Sequence, residues 1–385
     1  MMIRVSRILF TEEIMQQESS RAESIVRVSY RGIGVNLLLV IGKAAVGLQA
    51  HSIAVVLDAV NNLSDALSSL ITIIGAKLAG KAADRKHPYG HGRIEYISAS
   101  LIAVMIFVAG ITSLKESAEK LLHPVKPEYS AVSLLVLAAG IAAKIVLGRY
   151  YKKKGDALNS ASLTASGTDA LFDAVIGAAT LISAAVSMTA GKNLEGLLGI
   201  VISFFILKAG YDIIRETMNH IIGIRADDAL TAQIRQKICE NPNVRGAYDL
   251  ILHNYGPDKY FGTVHIEIDD HMTAREIDAL SRSIVPQIYQ EFGVLLTIGI
   301  YAANTHSETA QQIREAVRNI VSQYPEILQM HGFYAEEAVR AVSFDIMLDY
   351  DTEDTDTITE EIRSELTERF PDYQFFINID RDFSD

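Results

Sequence analysis

Four oxygen-bearing residues stand at helical spacing inside two otherwise apolar stretches. Asn61 and Asp65 lie in "LDAVNNLSDALSS", which runs on into "LITIIGAKLAG", and Asp169 and Asp173 lie in "TASGTDALFDAVIG". Residues four apart on a helix share a face, one turn above the other. A carboxylate in the middle of a bilayer costs roughly 2.5–3.5 kcal/mol on insertion scales, so two helices that each carry such a pair imply a shared counter-charge. Packed face to face, Asn61, Asp65, Asp169 and Asp173 can surround one divalent cation with oxygen ligands. No intramembrane Lys or Arg reads as a matching partner for the three carboxylates, so a metal ion or protons are expected to neutralise them. Asp58 and Asn62 lie close to the same face, where interhelical hydrogen bonding accounts for them equally well.

A second cluster occupies "AADRKHPYGHGRIEY", where Asp84, His87 and His91 are spaced three and four apart around a Pro and two Gly. Imidazole and carboxylate at such spacing suit a divalent metal. Histidines capping the adjoining helices would use the same residues without one.

The elements that must position these groups follow from hydropathy. A membrane-spanning helix needs roughly 20 mostly apolar residues, and six stretches qualify, near 31–50, 53–79, 94–116, 129–150, 164–190 and 194–216. The connections after the second and fourth carry Lys77, Lys81, Arg85, Lys86 and Arg93, and Arg149, Lys152, Lys153 and Lys154. By the excess of basic residues on the inner side, both connections and both termini are expected in the cytoplasm.

From about residue 225 the chain is acidic and ordinary in composition. Two segments there read as αββαβ units at matching spacing, one from "LTAQIRQKICENPNV" to "LLTIGIYA" and one from "TAQQIREAVRNIVSQYPEI" to "YQFFINID". The fold expected is a polytopic α-helical membrane protein with six transmembrane helices, followed by two α+β ferredoxin-like cytosolic modules. The domains are placed at 1–220, 225–304 and 307–385, and a sensor or dimerisation role suits the repeated units. A net charge of −12 argues against nucleic acid, which requires a basic surface. Cys239 is the single cysteine, which rules out an intramolecular disulfide and an all-cysteine metal site.

Taken together, the six spans, "HPYGHGR", the paired oxygen residues and the ferredoxin-like region resemble the cation diffusion facilitators over roughly residues 20–302. These transporters export divalent metals from the cytosol in exchange for protons. The resemblance implies a secondary active transporter in the plasma membrane, not an enzyme, with no cofactor. It implies a homodimer whose substrates are a divalent metal ion and protons. It places the transport site on Asn61, Asp65, Asp169 and Asp173 and a secondary metal site on Asp84, His87 and His91. Zinc-transporting members usually carry histidine in the transport site, and this chain has none there.

Three carboxylates and an amide oxygen form a hard site that suits Mn²⁺ better than Zn²⁺, as in the manganese-exporting branch. Zn²⁺, Fe²⁺ and Co²⁺ are the alternative cargoes. A membrane-anchored metallohydrolase built on the His pair, or a sensor that binds metal without moving it, are the competing classes. Of the cytosolic positions that bind zinc in zinc-regulated relatives, His265 matches, whereas Tyr248, Asp278 and Tyr301 depart. Exchanging Asn61 for His is expected to shift relative uptake toward Zn²⁺ when both metals compete in sealed vesicles; unchanged relative uptake contradicts the hard-site argument.

Overall fold

The structure, a computed structural model, describes residues 2–49, 53–123, 131–190, 194–257, 259–349 and 351–381. It divides into two compact units, residues 1–224 with 255–258, and residues 225–254 with 259–385.

The first unit is all helix: α1 (Met2–Gln49), α2 (Ile53–Ala79), α3 (Ile94–Leu122), α4 (Ala131–Ala157), α5 (Ala161–Ala190) and α6 (Glu195–Ile222). Helix α1 begins well before the predicted span, because the chain up to Tyr30 contains neither Gly nor Pro to break it. Arg21 on this extension meets the buried Glu95 of α3 at 2.8 Å and donates to the carbonyls of Leu158 and Asn159. Among the described residues, five helices are long and apolar enough to cross a membrane, on α1, α3, α4, α5 and α6. Helix α2, which carries the polar run around Asp65, is not one of them. Most of the first nine residues of α2 lie outside the described side chains.

Helices pack mainly in pairs, α1 with α2, α4 with α5 and α3 with α6. Small residues allow the close approach that packing in lipid favours. A Cβ on Gly196 of α6 would sit 2.9 Å from the Ser117 carbonyl of α3, and one on Gly148 of α4 would sit 3.0 Å from the Gly167 carbonyl of α5. Large apolar side chains such as Leu38, Leu135, Phe204 and Phe205 face outward, as a lipid-facing surface requires.

The second unit holds α7 (Asp228–Cys239), β1 (Gly246–Asn254), β2 (Tyr260–Asp269), α8 (Ala274–Phe292) and β3 (Val294–Ala303). It continues with α9 (Glu308–Val321), β4 (Ile327–Glu336), β5 (Ala341–Leu348), α10 (Thr355–Arg369) and β6 (Gln374–Arg381). Each half forms a three-stranded sheet in sequential order, its first two strands antiparallel and its last two parallel. Buried Ile234, Leu250, Ile266 and Ile288 build one core, and Val317, Phe344, Ile346 and Leu366 build the other.

The halves share their irregularities. The register slips after Tyr248 in β1 and after His331 in β4, and the next residues, Asp249 and Gly332, have φ of 53° and 61°. These equivalent positions meet: the Tyr248 and His331 rings stack at 5.2 Å with planes 8° apart. Asp249 lies 2.8 Å from His331 Nε2, lies 2.9 Å from His265 Nδ1, and accepts from the Tyr301 hydroxyl at 2.6 Å. His331 Nε2 is also 3.2 Å from Asp380, and the Tyr301 hydroxyl 2.9 Å from Asp345. Arg314 of α9 holds Glu267 of β2 with both carboxylate oxygens.

Burial alone would lower the His331 pKa, but the hydrogen bond to Asp249 and the charges of Asp249, Asp345 and Asp380 outweigh it and raise the value above the ordinary 6.5. The groups facing His331 are Asp249, Asp345 and Asp380, with His265 and Tyr301 completing the cluster. A raised imidazole contributes stability that is fully present below its unfolded pKa and is lost as pH rises through the folded one. His331→Gln is expected to destabilise the second unit by about 2–3 kcal/mol below pH 6, below the full cost of breaking a buried pair because Asp380 is partly hydrated. The deficit should shrink as pH rises past 6.5 and above; denaturant unfolding of the full chain across this range checks it, and a pH-independent deficit contradicts it.

Candidate functional site

The polar face of α2 meets α5 and α4 inside the first unit. Asp65 and Asp173 both reach one cation, and that cation is a side chain. Lys144 Nζ of α4 lies 2.5 Å from Asp65 Oδ2 and 2.7 Å from Asp173 Oδ2, with only 5% of the lysine side chain exposed. The expectation that no intramembrane base partners the carboxylates is therefore wrong. Lys144 stands inside the fourth predicted span, six residues from its end, where a lysine also reads as a terminus whose charge snorkels to the interface. The residue turns inward because two carboxylates offer what lipid cannot.

Asp169, one turn before Asp173, is within electrostatic reach of Asp173, Asp65 and Lys144. Lys43 of α1 is also buried and acts on Asp65; its side chain passes Gly140 of α4, where a Cβ would stand 3.2 Å from its Cε. The structure thus brings together three of the four expected transport-site residues and adds two lysines from α1 and α4. The side chains of Asn61 and Asp58 lie outside the described residues, although both positions belong to α2. Asn62 is buried.

A polar seam continues from Asp65 along α2 toward Lys77. Ser69 donates to the Asp65 carbonyl and meets the Tyr151 hydroxyl at 3.0 Å, and Thr72 meets Ser166 at 3.3 Å. These contacts join α2 to α4 and α5 through hydroxyls, which can exchange hydrogen bonds with an ion's hydration water as well as with each other.

The α2–α3 connection brings Asp84, His87 and His91 together, with ligand atoms all within 4.8 Å. Asp84 Oδ1 is 3.4 Å from His87 Nδ1, Asp84 Oδ2 is 3.6 Å from His91 Nε2, and the ring centroids are 4.5 Å apart. Asp84 also accepts from the backbone N–H of His87 at 2.7 Å and of Lys86 at 2.9 Å. Those bonds, the His87 N–H foremost, hold its carboxyl down at about 2, so the group is a carboxylate at any physiological pH. The tight turn is closed by Gly90, whose φ of 87° a side chain would strain.

In the second unit, His265 and Tyr301 join the Asp249 cluster. Asp278 is apart from it on α8 and pairs with Arg282 at 2.7 Å.

Comparison with known sequences agrees with this architecture. Residues 29–222 match the cation efflux transmembrane domain, and residues 226–300 match the cytoplasmic domain of cation efflux proteins. The first match spans half of the chain: it belongs to the cation efflux family, a family of membrane transporters of divalent metal ions. It is 27% identical over 242 residues to an uncharacterized transporter of Methanocaldococcus jannaschii, covering 63% of this chain and 85% of that one. It is 23% identical over 282 residues to the manganese efflux system protein MneP of Bacillus subtilis, covering 71% and 94%. It is 23% identical over 260 residues to the magnetosome protein MamB of Paramagnetospirillum magneticum, covering 66% and 86%. Neither family match reaches past residue 300, so the half from α9 to β6 lies beyond both.

Replacing Lys144 with Gln removes the internal rival for Asp65 and Asp173. Mn²⁺ binding to the purified full chain is expected to tighten by at least about tenfold, which corresponds to about 1.4 kcal/mol; calorimetry showing equal affinity in the two chains contradicts this.

Proposed function

We propose that the chain exports divalent metal from the cytosol, Mn²⁺ foremost, in exchange for protons. The observation that carries this reading is the convergence of Asp65 and Asp173 on a single positive charge, with Asp169 beside them. Carboxylates gathered around one cation inside an apolar helix bundle support a cation-site reading, because ionisable groups at membrane depth mark function by default.

The transport cycle follows from charge balance. With no metal bound, the Lys144 ammonium neutralises part of the negative charge and keeps α4 against α2 and α5. A divalent ion arriving along the Ser69–Thr72 seam carries twice that charge and displaces the ammonium. Asp65, Asp169 and Asp173, with Asn61 as the fourth donor, replace part of its hydration shell. Oxygen donors favour Mn²⁺ over Zn²⁺, which prefers nitrogen and sulfur. Rocking of the helices exposes the ion to the other side, where protons on the carboxylates and the returning lysine take its place. Each charge moved across the potential is worth about 2.3 kcal/mol per 100 mV, so inward protons can drive outward metal.

The manganese reading is supported by the likeness to MneP and by the lack of histidine at the four positions; the same architecture with Zn²⁺, Fe²⁺ or Co²⁺ as cargo is the competing reading within the family. Asp84, His87 and His91 serve as an additional metal site on the cytoplasmic side. The chain works as a homodimer in the plasma membrane with both termini in the cytoplasm.

The test is Mn²⁺ flux into sealed inside-out vesicles with and without a pH gradient. Flux that rises with an acidic lumen and falls at least a hundredfold in Asp173→Asn is expected. Gradient-independent flux removes the proton exchange, and flux retained in Asp173→Asn removes the site.

A further inference from the structure

Among the described residues, a second set of one carboxylate and two imidazoles, arranged as in the α2–α3 connection, stands in the second unit. Asp269 ends β2, His271 lies in the turn between β2 and α8, and His306 lies in the connection between β3 and α9. Strands β2 and β3 are parallel neighbours, with Asp269 paired to Ala303, so both connections leave the same end of the sheet. Asp269 Oδ1 is 3.6 Å from His271 Nδ1 and Oδ2 is 3.5 Å from His306 Nε2. The two ring centroids are 4.5 Å apart, the ligand atoms all lie within 4.8 Å, and both rings are mostly exposed.

The correspondence with Asp84, His87 and His91 is close. In each, one carboxylate turns one oxygen to the Nδ1 of the nearer histidine and the other to the Nε2 of the farther one, with centroids 4.5 Å apart. The carboxylate is anchored in both: Asp269 accepts from the Thr305 hydroxyl at 2.6 Å and from the His271 backbone N–H at 2.8 Å. Asp270 adds a further oxygen, 2.8 Å from His271 Nδ1, and is held by the Asn304 amide at 3.3 Å.

We propose that Asp269, His271 and His306 form a binding site for a divalent transition-metal ion that fastens the β3–α9 connection to the turn after β2. Two imidazoles and a carboxylate on one side of an ion leave its remaining positions to water, and this donor set suits first-row divalent metals. Imidazole ligands place Co²⁺ and Zn²⁺ above Mn²⁺ in affinity, the reverse of the preference expected for the all-oxygen group in the membrane. The site is distinct from Tyr248, His265, Asp278 and Tyr301. Half of its histidine pair comes from residue 306, in the connection between the two repeats. A bound ion would therefore restrain the link between the repeats and couple cytosolic metal to the stiffness of this unit.

The test uses the full chain in detergent, carrying His87→Asn and His91→Asn to silence the α2–α3 connection, with Co²⁺ as the probe. Adding His271→Asn and His306→Asn is expected to remove one Co²⁺ equivalent per chain with its visible absorption band. Either substitution alone should weaken that equivalent by about tenfold or more, the scale on which metal sites respond to altered ligands. Both side chains are exposed, so circular dichroism and thermal unfolding without metal should match the parent. Unchanged Co²⁺ stoichiometry and spectrum in the double substitution overturn the proposal. Because the readout is binding, it stands or falls independently of which metal the membrane unit moves.

Discussion

An ammonium group held between two carboxylates inside the helix bundle is the constraint on which the first unit turns. Lys144, Asp65 and Asp173 come from three different helices, so their charges can be balanced only when α2, α4 and α5 are packed together. Separating them would leave each charge in an apolar surrounding, at several kcal/mol apiece. The small residues along α4 and α5 permit the approach, and the apolar helices around them keep the polar face of α2 from lipid. The same interaction makes the arrangement responsive. In the transport cycle proposed above, a cation that binds the carboxylates must first replace the one the protein already supplies, which would link metal occupancy to helix packing.

Much of this was legible in the sequence because it rests on periodicity. The spacing of Asp169 and Asp173, and of Asn61 and Asp65, assigns each pair to one helical face without knowledge of the fold. The apolar lengths give the helices, and alternation in "YFGTVHIEID" gives β2. Asp84, His87 and His91 are near neighbours in the chain, so a tight loop brings them together almost regardless of the rest.

What the sequence does not display is contact between distant elements. Lys144 is 79 residues from Asp65 and 29 from Asp173, and nothing in its own flanking residues tells whether its amine turns to an interface or to the bundle. The clue available was its depth in an apolar run, since a lysine inside a span marks function by default. The meeting of Tyr248 with His331, and of Asp269 with His306, is hidden for the same reason. Helix α1 was underestimated because a polar helix gives no hydropathy signal, and Arg21, ahead of the predicted span, meets Glu95 and two carbonyls far along the chain.

The two repeats of the second unit extend the theme of charge compensation. His331 faces Asp249 and Asp380, the single Tyr301 proton lies between Asp249 and Asp345, and Arg314 covers Glu267. Matched positions of the two halves therefore meet through charged and hydrogen-bonded groups as well as apolar ones. That arrangement packs the second half against the first, while His271 and His306 stay exposed at the β2 and β3 ends beside Asp269 and Asp270.

The most direct measurement is a structure of the full chain loaded with Mn²⁺, read by anomalous scattering at the manganese edge. The account predicts a peak bounded by the carboxylates of Asp65, Asp169 and Asp173, with the Lys144 amine withdrawn from between them. A fully loaded protein in which Lys144 still bridges Asp65 and Asp173, and no manganese lies among the three acids, would contradict it.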